Sequence, residues 1–221
     1  MSDINITIPG GSSKRLPTAG KYCDADIVVT AEGGGGSTEN QLHATLDGTI
    51  AEINSDVSSV IAYACRGLTA LETVNLPEAA SIGTYAFYGC SALASLNTPK
   101  VTSLGTYAFY GCNKITEVNF PLAASVPSSC FYQATALKKA DFGAAKSIAG
   151  YAFAYCSKLE TLILRRSDAI CTLNSNGFSG FTFSKYVYVP AALISSYEAN
   201  STWAATSAKF RAIEDYPDIC G

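Results

Sequence analysis

The sequence predicts an α/β repeat fold, a solenoid of about five to six 22-residue units with short strands and short helical turns. A small β segment precedes it and a helical cap closes it. Three observations carry that prediction. The phrase Ile82-Gly-Thr-Tyr-Ala-Phe-Tyr-Gly-Cys90 returns 22 residues on as Leu104-Gly-Thr-Tyr-Ala-Phe-Tyr-Gly-Cys112, more loosely over 126–134, and again as Ile148-Ala-Gly-Tyr-Ala-Phe-Ala-Tyr-Cys156. Between the phrases lie short alternating runs, three of which end in proline, at 77, 99 and 121. Finally, 48% of the 221 residues are hydrophobic and only 15% charged, enough to bury a core and too apolar for a disordered chain.

The elements follow in chain order. Residues 1–32 read as a small β-rich attachment segment, with strands at Asn5-Ile-Thr-Ile8 and Asp26-Ile-Val-Val-Thr30. So few apolar side chains do not make a core, so Ile6, Ile8, Leu16, Tyr22, Ile27 and Val29 are expected to be ordered by a partner or by sister chains. Residues 33–40, opening Gly-Gly-Gly-Gly-Ser, read as a flexible linker. Over 41–59, Asp47-Gly48 between two apolar runs suggests a hairpin forming an N-terminal cap. The solenoid itself is assigned to 60–190.

Each unit combines two periodicities. In Leu71-Glu-Thr-Val-Asn-Leu-Pro77, strand alternation turns Val74 and Leu76 inward and Asn75 outward. The turn that follows inserts an aromatic and a thiol beneath the next strand. Phe87, Phe109, Phe131 and Phe153 are therefore expected to stack as a spine, beside a column of Cys90, Cys112, Ala134 and Cys156. Alanine in that column points to packing rather than to ligation. After Cys171 the register slips by a few residues, and 191–221 read as a C-terminal helical cap anchored by Trp203.

Several function classes lose support at this level. A net charge of -3 without a basic run gives no electrostatic footprint for nucleic acid. The eight cysteines lack a Cys-x-x-Cys pair and the single histidine, His43, has no companion, so no metal, cofactor or catalytic site is expected. The residues after Met1 do not form a signal peptide, and no apolar run is long enough for a membrane span. The cysteines are accordingly expected to be reduced core residues.

The units built on Ile-Gly-x-Tyr-Ala-Phe-x-x-Cys-x-x-Leu-x-x-Val-x-Phe-Pro resemble the BspA-like (Treponema pallidum type) leucine-rich repeats, over roughly 60–190. Ser129-Cys130 and Arg165-Arg166 depart from the pattern. The resemblance implies a non-enzymatic solenoid used in adhesion or recognition. The stretch Ile8-Pro-Gly-Gly-Ser-Ser-Lys-Arg-Leu-Pro-Thr-Ala-Gly-Lys-Tyr-Cys23 and the residues after it, to Ala31, resemble N-terminal segments of phage and prophage structural proteins, which implies a virion-associated fibre, tail or decoration protein. Its partners would be other virion proteins or sister chains at the N-terminal segment, in a homo-oligomer or larger assembly. A host-surface glycan or protein would bind the solenoid. The alternative is a bacterial interaction module, at the cell surface or inside the cell.

Two outward columns of the strands are the candidate binding face. One runs Thr73, Ser95, Glu117, Lys139, Thr161, Tyr186 and the other Asn75, Asn97, Asn119, Asp141, Ile163, Tyr188. At about 4.8 Å per strand they would form a polar surface roughly 25 Å long, closed at one end by two tyrosines. A second, weaker candidate is the turn ladder of Tyr85, Tyr107, Tyr151, Tyr88 and Tyr110, where packing within the solenoid is the simpler reading.

Overall fold

The computed structural model describes residues 5–8, 12–15, 29–30, 41–42, 52–54, 57–183 and 185–220. Each 22-residue unit crosses three columns of backbone hydrogen bonds. The front sheet is built from Thr73–Asn75 and its equivalents, which pair in parallel as Thr73 with Ser95, Glu117 with Lys139, Lys139 with Thr161 and Thr161 with Tyr186. A side sheet stacks Ser59–Val60, Ser81–Ile82 and Ser103–Leu104. In the third column, the turns bond each other directly, as from Tyr85 N to Thr106 O and from Phe87 N to Ala108 O.

The turn column explains the conserved spacing of the repeated phrase. Tyr63, Tyr85, Tyr107, Ser129 and Tyr151 all take left-handed backbone angles, φ 54 to 63°. Four residues on, Gly67, Gly89 and Gly111 do the same at φ 71 to 78°. The reversal aims every second amide at the next unit. Left-handed angles cost a non-glycine residue about 1–3 kcal/mol, and here the inter-unit hydrogen bonds and ring stacking offset that cost.

The expected spine is present. Phe87, Phe109, Phe131, Phe153 and Phe178 stack at ring-centroid distances of 5.3 to 5.7 Å, and Phe120 and Phe142 add a second column beside it. Cys90, Cys112 and Cys156 are buried free thiols whose Sγ atoms donate to Cys65 O, Phe87 O and Phe131 O. Burial raises the Cys90 and Cys156 thiols to about 12, which removes them from thiolate chemistry at neutral pH.

Three features differ from expectation. Gln41–Leu42 and Glu52–Asn54 do not pair as a hairpin: the first lies parallel to Ser59–Val60 in the side sheet and the second parallel to Thr73–Asn75 in the front sheet. Each of the two follows the repeat stacking, and Asp47-Gly48 between them lies outside the described residues. The register slip precedes Cys171, since Ser147 already pairs with Thr172 and Ile148 with Leu173, 25 residues apart. The extra residues are accommodated after Leu164, where proline is replaced by Arg165. The C-terminal region is not purely helical either: after short helices at Ile194–Ala199 and Ser201–Ala204, strand Lys209–Ala212 adds a further rung to the front sheet.

The cap is bolted to the last full rung by two aromatic side chains. Tyr197 and Trp203 are fully buried. Cys171 N donates to Tyr197 Oη at 2.7 Å, and Trp203 Nε1 donates to Cys171 O at 2.7 Å. Both polar groups of a terminal backbone unit are thus satisfied, as a buried solenoid end requires.

At the N-terminal end, Asn5–Ile8 pairs antiparallel with Glu52–Asn54, and Ser12–Arg15 with Asn5–Ile8. Val29–Thr30 pairs antiparallel with Gln41–Leu42. Ile6, Ile8 and Val29 therefore lie on strands that extend the solenoid's own sheets. Leu16, Tyr22, Ile27 and the 33–40 linker lie outside the described residues, as does His43.

The front sheet has one seam. Its strands fall into two bonded sets, one ending at Ser95–Asn97 and the other starting at Glu117–Asn119. Thr98 occupies the core column filled elsewhere by Leu76, Phe120, Phe142 and Leu164, and its buried hydroxyl has no hydrogen-bond partner. Pro127 stands where Gly83 and Gly105 donate to the preceding unit, so one side-sheet bond is lost as well. The turn column stays continuous across the seam through Tyr107 N to Ser128 O and Phe109 N to Cys130 O.

Candidate functional site

The front strands bring the expected columns into register, and the structure then divides them. Over the first rungs the surface is open and polar. Asn97, Glu117 and Asn119 are exposed and Asn75 is half-buried. Asn97 Nδ2 donates to Asn75 Oδ1 at 2.6 Å, an amide–amide bond between neighbouring rungs.

The later rungs are covered, which corrects the expectation of a continuous open face. Asp141 is 6% exposed, Tyr188 3% and Ile163 0%. What covers them is residues 213–220, a single 3₁₀ turn at Ile213–Asp215 followed by the short helix Pro217–Cys220. Ile163, Tyr188 and Cys220 form a small apolar cluster, flanked by Tyr186, Ile213, Tyr216 and Ile219. Tyr216 packs edge-on against Tyr188 at 5.3 Å. The two tyrosines at 186 and 188 are thus not an exposed platform.

Charged groups fasten this segment. Arg165 pairs with Asp141 through Nη2 to Oδ2 at 2.6 Å and also donates to Cys220 O. Lys139 Nζ donates to Ile219 O at 2.7 Å. The Asp141 carboxylate beside it holds the Arg165 guanidinium above its usual range. Arg211 lies over the rings of Tyr186 and Tyr216 at 4.0 and 5.0 Å and donates to Tyr216 Oη.

Two further surfaces lie away from the front sheet. The turn column carries stacked tyrosines, Tyr63 on Tyr85 on Tyr107 at 5.1 and 4.7 Å and Tyr88 on Tyr110 on Tyr132 at 4.6 and 4.7 Å. Their faces are occupied by one another, so mainly edges and hydroxyls reach solvent. A groove of about 420 Å³ is lined by Asn113, Gln133, Thr135, Tyr155, Ser157 and Gly180. Sequence reading missed it, although Asn113, Thr135 and Ser157 recur at the repeat spacing. Among the described residues no group of three or more His, Cys, Asp and Glu is placed to hold a metal ion, and no helix is long and apolar enough to cross a membrane.

The repeat geometry matches a known class. The model of the BspA type leucine rich repeat region fits residues 58–186 in six copies. The chain belongs to this family. A protein from Faecalibacterium prausnitzii A2-165, described as a leucine rich cell surface protein, is 16% identical, with a TM-score of 0.52 over 89% of this chain. This chain spans 55% of that protein's length. The leucine rich repeat protein of T. pallidum is 19% identical over 78% of this chain and 85% of its own, at a TM-score of 0.47. At such identities the likeness is one of fold. A search of curated proteins gives no significant match.

Proposed function

We propose that this BspA type repeat chain is a non-enzymatic recognition module that binds a host-surface glycan or protein through the open rungs of its front sheet. The observation that carries the reading is the display of Asn75, Asn97, Glu117 and Asn119 on the outward side of successive rungs, Asn75 in register with Asn97 before the seam and Glu117 and Asn119 in register with Lys139 and Asp141 after it, each amide able to donate to and accept from hydroxyls. In its finer form the chain is virion-associated, docked to other virion proteins or to sister chains through residues 1–32. Strand Ser12–Arg15, at the outer edge of the front sheet among the described strands, suits such edge pairing. The neighbour described as a cell surface protein favours a second setting, display on a bacterial surface.

The test is binding of the full chain to arrayed cell-wall glycans and surface-protein extracts. Asn75→Ala, Asn97→Ala and Asn119→Ala together should weaken binding at least tenfold without lowering the melting temperature. Unchanged binding would move the site off these rungs. Co-sedimentation with phage particles separates the settings, since a chain absent from particles contradicts the virion reading.

A further inference from the structure

The front face from Asp141 to Tyr188 carries a ligand already, supplied by the chain itself. Residues 213–220, Ile-Glu-Asp-Tyr-Pro-Asp-Ile-Cys, contain three acids and no base. The bases beneath them bond other groups: Lys139 donates to Ile219 O, Arg165 to Cys220 O and to Asp141, and Arg211 to the Tyr216 hydroxyl, while the three acids stay exposed. Tyr216 and Ile219 stand three residues apart, one turn, and pack against the Ile163 and Tyr188 cluster. The two strongest polar anchors, from Lys139 and Arg165, go to the main-chain carbonyls of Ile219 and Cys220 rather than to side chains. Recognition of that kind transfers to any peptide that presents the same backbone.

The two parts of the C-terminal region are fastened very differently. Tyr197 and Trp203 are fully buried in the main core, whereas between 213 and 220 only Cys220 is buried and Ile213, Tyr216 and Ile219 are partly so. The terminal segment belongs to a separate small cluster outside the main core. Its removal would uncover Ile163 and Tyr188, which follow Asn75, Asn97, Asn119 and Asp141 in the outward column. Uncovered together, they would form an apolar patch on an otherwise polar face.

We propose that residues 213–220 are a detachable strap, and that the face beneath them is a docking site for a peptide of a partner protein bearing an aromatic and an aliphatic residue three apart, its main-chain carbonyls held by Lys139 and Arg165. The site is distinct from the open Asn rungs and stands whether or not those rungs bind a glycan. In the closed chain the strap competes from a high effective concentration, so a peptide in trans meets a site that is only fractionally available.

The experiment uses the full chain and a fluorescein-labelled peptide of residues 213–221. The intact chain should bind it weakly. A full-length Tyr216→Ala, Ile219→Ala variant, whose own strap is loosened, should bind it at least tenfold more tightly, and adding Arg165→Ala should undo that gain. Equal binding by intact and loosened chains, or indifference to Arg165→Ala, overturns the proposal. If the loosened variant does not fold, hydrogen exchange on the intact chain decides. The Ile219 and Cys220 amides, both bonded to Tyr216 O, should exchange at least tenfold faster than those of Leu162 and Val187, and equal protection overturns the strap. Concentration-dependent dimers that exchange straps would make a second copy the occupant and overturn the partner assignment.

Discussion

Asn97 and Asn119 stand in solvent on the same strand column in which Asp141, Ile163 and Tyr188 lie buried beneath residues 213–220. Both stretches present the same outward position of the repeat, yet the first, which spans the seam at Thr98, is open and polar, and the second is a covered, charged and apolar face. A solenoid fixes which positions point outward. Whether an outward position meets water is decided by a segment distant in sequence: Lys139 and its acceptor Ile219 O are 80 residues apart.

The largest expected perturbation reaches both stretches alike. Burial raises the thiols of Cys90, Cys156 and Cys171 to about 12, and the Tyr197 phenol to about 12. Their neutral forms are favoured by folding, so this contribution is complete below the unfolded thiol value of about 8.5 and is lost as pH rises toward 12. Melting temperatures should be flat from pH 6 to 8 and fall steeply by pH 11. The thiols should resist alkylation in the native protein.

Trp203→Ala should act mainly on the covered stretch. It empties a fully buried site and leaves Cys171 O without its donor, at an expected cost of about 3–5 kcal/mol. Denaturation followed by hydrogen exchange should show the rungs from Lys139 onward opening before those at Thr73–Asn75.

A matched pair of charge deletions sharpens the contrast. Asp141→Ala removes the partner of Arg165 beneath the strap and should cost about 1–2 kcal/mol, tempered because Arg165 keeps a third of its side chain in solvent. Glu78→Ala breaks the pair with Lys100 on the open stretch, where both groups are at least half exposed. It should change stability by less than about 0.5 kcal/mol. The smallest effect is favourable: Thr98→Val removes a buried hydroxyl without a partner and should stabilise the seam by about 1 kcal/mol in urea denaturation.

Much of this architecture was legible because a repeat states its register several times. The Phe87 to Phe153 spine, the thiol column and the pairing of Thr73 with Ser95 all follow from a 22-residue spacing. The Asp47-Gly48 turn lies outside the described residues, while Gln41–Leu42 and Glu52–Asn54 on either side of it pair into separate sheets. The strap was not legible as a contact, since residues 213–220 carry no repeat and their partners lie far away in sequence. A trace was nevertheless present. Ile163 and Tyr188 follow Asn75, Asn97, Asn119 and Asp141 in the outward column, and two neighbouring apolar residues there are consistent with a covered face.

Hydroxyl-radical footprinting of the intact chain tests the division of the front sheet most directly. Tyr63, 51% exposed on the turn column, serves as the internal reference for an accessible ring. Ile163 and Tyr188 should be protected at least tenfold relative to Tyr63. Modification of Tyr188 at the rate of Tyr63 would contradict it, because the second stretch of the face would then be as open as the first.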